Sequence, residues 1–386
     1  MPKKPISIYI HYPFCISKCP YCDFNSYVNL NFDEADLLKG YITEINYYHN
    51  LLKNRCINTI FFGGGTPSLA SSIFIERILI ELEKLFGFDK TIEISLEANP
   101  SSIEMAKFRD FSRIGINRLS IGIQSLNDDK LKFFGRTHDR KEAVAAVGIA
   151  QKYFDNYSID LIYAYEKQNI SEWLKELEEA KNLSPNHISL YQLTIENGTK
   201  FYSSGVKPAD DDLAAKLYKL TNNFLEKNGI IRYEVSNYAK NGYECKHNIN
   251  YWKNGEWVGI GAGAHGRICF DNSFEDNYKK RTAIENIKNP KIWLENVIKN
   301  GNGIKEKSIL SREEFIEEVI IMGLRLVDGI SLTDVDKYVK ISKITDIFNK
   351  NYEELEKLKF IEISNNRIKV NGNKFYLLDS IVERLL

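Results

Sequence analysis

With 386 residues the chain can hold a large core and more than one unit, because single domains commonly stop near about 250 residues. Fifty-two basic and fifty-two acidic side chains leave no formal net charge, so the electrostatic footprint of a nucleic-acid binder is absent. No apolar run approaches the roughly 20 residues that span a bilayer, and six cysteines are too sparse for a disulfide scaffold. The first residues, Met-Pro-Lys-Lys-Pro, lead into a strand with no signal peptide, so a cytoplasmic location is expected, with peripheral membrane contact left open.

Strand-like runs alternate with amphipathic stretches through the first half. The strands expected are Ile6 to Tyr12, Asn58 to Phe62, Thr91 to Glu97, Arg118 to Gln124, Tyr157 to Tyr163 and His187 to Thr194. Helices are expected over Asp33 to Lys53, Ser72 to Phe86, Ser101 to Ile114, Arg140 to Phe154 and Ser171 to Asn182. Six strands separated by helices imply a parallel sheet with right-handed crossovers, two units short of a closed eight-stranded barrel. The expected fold is α/β, an open (β/α)6 partial barrel over residues 1–236.

A further helix, Asp210 to Asn228, and a strand, Ile230 to Ser236, close that unit. An irregular stretch rich in Gly, Asn and aromatics follows, taken as a connecting region over 237–305. Residues 306–386 change character again. Ser311-Arg-Glu-Glu314 is a capping box, and helices near Leu332 to Val339 and Ile344 to Leu358 precede two short strands around Asn365-Asn366 and a last helix. That order is winged-helix-like. Asp346, Glu353, Glu354 and Glu356 stand where a DNA-reading helix would carry positive charge, so a packing role is expected instead.

Chemistry concentrates where parallel sheets place it, at the C-terminal ends of the strands. The first strand runs into Cys15-Ile-Ser-Lys-Cys19-Pro-Tyr-Cys22. Three thiols in a short loop can reach three corners of one [4Fe-4S] cluster, which ordinarily takes four thiolates, leaving one iron for a ligand outside the protein. The competing assignment is a Cys3His zinc site completed by His11, but structural zinc sites usually pair two cysteine knuckles and only one occurs here. The second strand ends in Gly63-Gly-Gly-Thr-Pro67, which lets a ligand approach the backbone; a phosphate loop is disfavoured because the Lys-Ser/Thr is missing. Glu97, Gln124, Arg136 and Asp160 lie at or just past other strand ends, and their joint placement around one sheet edge favours a site over separate caps. Gly261-Ala-Gly-Ala-His265-Gly266 matches a dinucleotide fingerprint in form only, without a βαβ unit after it, and is expected to be a tight turn carrying His265 near the cleft. Cys56, Cys245 and Cys269 are expected to be ordinary thiols.

Together the cysteine loop with Tyr21, the Gly-Gly-Gly-Thr-Pro turn, Glu97-Ala-Asn-Pro100, Ile121-Gly-Ile-Gln-Ser125 and the C-terminal appendage resemble the radical S-adenosylmethionine (SAM) family. Within it they resemble the branch holding oxygen-independent coproporphyrinogen III oxidase and a related heme chaperone. The resemblance covers nearly the whole chain. It implies that Cys15, Cys19 and Cys22 hold the [4Fe-4S] cluster and that SAM chelates the open iron. It also implies that Tyr9, Gly64, Gly65, Thr66 and Glu97 contact SAM, while Tyr21, Gln124, Arg136 and Asp160 line the cofactor cleft. The oxidase carries a further cysteine two residues after the third, where this chain has Phe24, and an N-terminal extension that is absent here; both point away from porphyrinogen decarboxylation. His247-Asn-Ile-Asn-Tyr-Trp252 matches the H-N-x-x-Y-W motif of the chaperone and makes His247 the expected heme ligand, beside an aromatic surface, with His265 or Cys245 as the alternative ligands. The function implied is heme binding and delivery to recipient hemoproteins, with the respiratory membrane and a homodimer left open. SAM-dependent radical oxidation of a porphyrinogen and a non-catalytic iron-sulfur protein remain as alternatives.

Overall fold

A computed structural model describes residues 3–28, 32–270, 281–336, 348 and 351–386. Its backbone is a twelve-stranded sheet, and period-two alternation explains how that sheet makes a cavity. In β1 (Lys4–Tyr12) Ile6, Ile8, Ile10 and Tyr12 are buried in the main apolar core with the helical residues Leu37, Tyr41 and Ile45, while Ser7, Tyr9 and His11 project to the other face. The pattern recurs in β2 (Arg55–Gly64), β3 (Phe88–Ala98), β4 (Arg118–Gln124), β5 (Asn156–Tyr163) and β6 (His187–Gln192). Ile60, Ile94, Ile121, Ile159 and Ile188 enter the core, and Thr59, Glu93, Ser120, Asp160 and Ser189 take the opposite side. Parallel strands are commonly apolar on both faces. Here one face is polar, and it curves around an interior.

The six strands pair in parallel in chain order. The expected strands and helices of this half are present within a few residues, with two exceptions. The helix expected over Ser101 to Ile114 divides into Ser102–Met105 and Phe108–Arg113, at the point where Lys107 Nζ reaches the carbonyls of Ser68, Leu69 and Ala70 at 2.7–3.1 Å. The strand expected over Ile230 to Ser236 is two short antiparallel pieces, β7 (Ile231–Arg232) and β8 (Asn237–Ala239), and it is β8 that pairs with β6.

The connecting region is not irregular. It supplies β9 (Trp257–Ile260), β10 (His265–Cys269), β11 (Arg281–Asn286) and β12 (Ile304–Ile309), with helices Lys246–Trp252 and Pro290–Asn300. β9 joins β1 in parallel and the rest follow antiparallel, so the strand order is β12-β11-β10-β9-β1-β2-β3-β4-β5-β6-β8-β7. Glu44, on helix Glu34–Leu51, pins this extension. It accepts from the backbone N–H of Gly261 (2.9 Å) and Gly303 (2.8 Å), Asn286 Nδ2 (3.1 Å) and Trp293 Nε1 (3.3 Å). Burial pushes its carboxyl up to about 7 against those four donors.

Residues from Arg312 onward form a second core around Phe315, Ile320, Ile368 and Ile381. The capping box at Ser311 is closed in both directions (2.7 and 3.1 Å). Asn365 and Asn366 both adopt positive φ, joining Ile361–Ser364 to Arg367–Val370 as a hairpin to which Ile330–Ser331 adds a third antiparallel strand. Of the helices expected over Leu332 to Val339 and Ile344 to Leu358, Leu332–Asp336 and Asn351–Lys357 are seen; their remaining parts, with Asp346, lie outside the described residues. No helix among the described residues is long and apolar enough to cross a membrane.

Candidate functional site

A cavity of 570 Å³ opens at the C-terminal ends of the strands and is closed on one side by Arg325, Phe375 and Tyr376 of the C-terminal unit. Its roof is the cysteine loop. Two short hydrogen bonds fix where that loop begins: Gly65 N donates to Tyr12 O (2.6 Å) and Thr66 N to Phe14 O (2.8 Å). A Cβ on Gly65 would stand 2.6 Å from Phe14 O, and one on Gly64, at φ +107°, would stand 2.6 Å from the His11 ring. The glycine turn is therefore first a seat for the cysteine loop, and only then a cofactor wall.

Cys15, Cys19 and Cys22 are free thiols that all line this cavity. Thr66 Oγ1 lies 3.5 Å from Cys15 Sγ, and Arg136 Nη1 lies 3.4 Å from Cys19 Sγ. Burial pushes the Cys15 and Cys22 thiols up, against hydrogen-bonding help from Thr66 and Ser26 for Cys15 and from Phe24 and Ser26 for Cys22. No three His, Cys, Asp or Glu side chains among the described residues converge on a single-ion site. Three free thiols on one cavity suit a cluster, where each sulfur meets a different iron. His11, the fourth ligand that a zinc site would need, has both ring nitrogens hydrogen-bonded: Nε2 pairs with Asn25 O (2.9 Å) and Nδ1 with the Tyr9 hydroxyl (3.1 Å).

Below the loop the expected polar residues meet. Arg136 Nη2 donates to Gly122 O (2.8 Å) and to Asn99 Oδ1, its Nη1 approaches the Tyr21 hydroxyl (3.5 Å), and its Nε is buried without a partner. Glu97 accepts from Gly64 N (3.3 Å); burial and then the neighbouring Asp160 push its carboxyl up to about 8. Asp160 accepts from Ser120 (3.0 Å) and Ser158 (3.1 Å) on the cavity floor. Gln124 ends β4 at φ +69°, a left-handed conformation that a non-glycine residue seldom adopts. Tyr9 stands apart. It stacks on Phe61 and opens, with Gly64, Glu97 and His265, onto a second cavity of 540 Å³.

Asn99, Ser120 and Tyr191 also line the first cavity and were missed in the sequence. Ser120 and Tyr191 carry a usable signal, being in phase with the polar face of β4 and β6. Arg325 and Phe375 carry none, because only the packing of the C-terminal unit brings them here.

His247 lies elsewhere. It is 1% exposed on helix Lys246–Trp252, which plugs the polar interior at the N-terminal half of the sheet. Nδ1 pairs with Thr59 Oγ1 and Nε2 with the Tyr251 hydroxyl, both at 2.7 Å. Burial, then Arg118, lowers its pKa to about 3. Glu93 of β3 accepts from the N–H groups of Lys246 and His247 (3.1 Å each), and Trp252 lies under Arg325 (4.9 Å). With both ring nitrogens hydrogen-bonded, His247 packs inside the sheet in this structure, away from the cavity under the cysteine loop.

An open, mostly parallel sheet with a cysteine loop over its C-terminal edge defines the radical SAM class. The Radical SAM superfamily profile matches residues 9–180, and the HemN C-terminal domain profile matches residues 310–373. The heme chaperone HemW of Buchnera aphidicola (subsp. Schizaphis graminum) is 40% identical over 311 residues, 80% of each chain. The mitochondrial radical S-adenosyl methionine domain-containing protein 1 of Danio rerio is 34% identical over 387 residues, covering 98% of this chain and 86% of the relative. The solved structure of coproporphyrinogen III oxidase (HemN) from Escherichia coli shares the fold at TM-score 0.83 and 22% identity, over 100% of this chain and 91% of its own. The chain belongs to the HemW family of the radical SAM superfamily. Membership implies a [4Fe-4S] cluster and SAM, and the free thiols and the polar cavity beneath them fit that pair.

Proposed function

We propose that this chain is a heme chaperone, which binds heme and delivers it to recipient hemoproteins while carrying a [4Fe-4S] cluster and SAM. The observation that carries the reading is the 40% identity to a HemW heme chaperone over four fifths of both chains. Phe24 supports it, standing where the related oxidase has a further cysteine.

Cys15, Cys19 and Cys22 hold the cluster, which when bound supplies an open iron for the amino and carboxylate groups of SAM. Arg136 braces the loop through Cys19 and Tyr21. Thr66, Gly65 and Glu97 border the methionine end of SAM, with Gly64 and Tyr9 beside Glu97 on the second cavity. Gln124 and Asp160 line the deeper part of the cleft. The three regions proposed along the chain are 1–236, 237–305 and 306–386, the second completing the sheet and the third closing the cavity.

The test is an anaerobic absorption titration of heme into the cluster-reconstituted protein, beside an assay with coproporphyrinogen III. The proposal expects saturable heme uptake and no porphyrinogen consumption. Conversion of coproporphyrinogen, with methionine and 5′-deoxyadenosine released, would make the protein an oxidase.

A further inference from the structure

Six histidines occur in the chain, and among the described residues one of them, His265, offers a ring nitrogen without a partner to a cavity. His11 and His247 are committed as described. His187 is held by Ser158 and Tyr233 (2.8 Å each), and His138 is buried with Nε2 on Ile123 O (3.0 Å). His49 packs edge-on against Phe86 on helix Glu34–Leu51, away from either cavity. His265 is exposed, and among the described residues its ring nitrogens have no hydrogen-bond partner. It is the first residue of β10, aimed by the turn through Gly261 and Gly263, both at positive φ, and it stands on the wall of the 540 Å³ cavity.

That cavity has the other features a flat, dianionic metal macrocycle requires. Phe24, 58% exposed, supplies an apolar face from the cysteine loop. Lys18 and Lys288 place two ammonium groups on its walls, which also carry the carboxyls of Asp23 and Glu97. Among the described residues Lys18 forms no ion pair, its Nζ meeting Phe24 O (3.2 Å), and Lys288 makes a distant pair with Glu285 (3.9 Å). Partial burial lowers the His265 pKa, Glu285 opposing and Arg267, Lys288 and Lys305 assisting, so the imidazole is neutral, the form that binds iron. The volume suits a small-molecule site, and an open mouth suits a ligand that is passed on.

We propose that this second cavity is the heme site, with His265 as the axial iron ligand, Phe24 against the macrocycle and Lys18 and Lys288 on its propionates. The assignment rests on the heme-chaperone reading. A lone pair on His265 forms one bond to iron, and no proton or electron is exchanged.

The experiment is the anaerobic heme titration on full-length, cluster-reconstituted wild type, His265→Ala and Lys288→Glu, with cluster iron measured in each. Expected are a loss of at least about tenfold in heme affinity and a moved Soret band for His265→Ala, with the band restored by added imidazole. Lys288→Glu should weaken binding without moving the band. If wild type takes up no heme, the chaperone reading itself fails. If wild type binds and His265→Ala matches it in affinity and spectrum, or loses heme in a way that imidazole does not reverse, the site assignment is overturned while the chaperone reading stands.

Discussion

At the C-terminal ends of β1 to β6 the polar side chains face a cavity; in the N-terminal halves of the same strands they face a helix. Ser7, Thr59, Glu93, Ser158 and His187 all find partners there: Thr59 and Glu93 bond helix Lys246–Trp252, Ser7 bonds Thr59, and Ser158 bonds His187. Above them Glu97, Asp160 and Arg136 keep shifted carboxyls or an unpartnered nitrogen beside open space. Residue type is the same at both levels. What separates ligand site from structural plug is open space beside the polar atoms: unpartnered atoms occur at both levels, Ser95 Oγ and Trp252 Nε1 among the lower ones, but Arg136, Glu97 and Asp160 border the 570 Å³ cavity.

The largest effect should come from the thiols. Replacing Cys15, Cys19 or Cys22 with Ala is expected to remove most of the iron and sulfide after anaerobic reconstitution while far-ultraviolet circular dichroism is unchanged. Cys56→Ala should keep a full complement, and equal loss there would redraw the ligand set. Next is Gly65→Val. Because a Cβ meets the Phe14 carbonyl, this variant should lose cluster as well as SAM binding, whereas a wall position alone would lose only SAM; iron analysis beside calorimetry separates the two.

His247→Ala tests the plug. It leaves the Thr59 and Tyr251 hydroxyls without their partner and opens a hole, so unfolding in denaturant should show a loss of roughly 3 kcal/mol. Heme affinity and spectrum of the folded fraction should not change. A wild-type stability with altered heme bands would return His247 to the site. The smallest effect is a proton. Glu97, held up at about 8, is mostly protonated at about pH 7, and the ammonium of SAM beside it would favour the carboxylate. Binding then releases a proton, so SAM affinity should rise from about pH 6 to about pH 8, with a calorimetric heat that depends on the buffer. Glu97→Gln should abolish both dependences.

The cysteine loop, the glycine turn and the strand-end residues were legible because each is a short motif locked to a strand whose alternation is plain, as in Ile6 to Tyr12. Residues 237–305 were not, since β9 and β10 are four and five residues long and broken by Gly259, Gly261, Gly263 and Gly266, while Glu44 and its four donors come from distant segments. The burial of His247 was hidden for a different reason. A histidine beside Tyr and Trp looks alike whether it faces solvent or Thr59, and only long-range packing decides. His265, expected near the cleft on a glycine turn, is the exposed one.

The most direct test of the two-level account is hydrogen–deuterium exchange on the cluster-loaded protein with and without heme. The account predicts slowed exchange in the cysteine loop, residues 16–27, and in the turn and strand 263–268, with helix 246–252 unchanged. Protection confined to 246–252, with the cysteine loop and residues 263–268 unaffected, would contradict it.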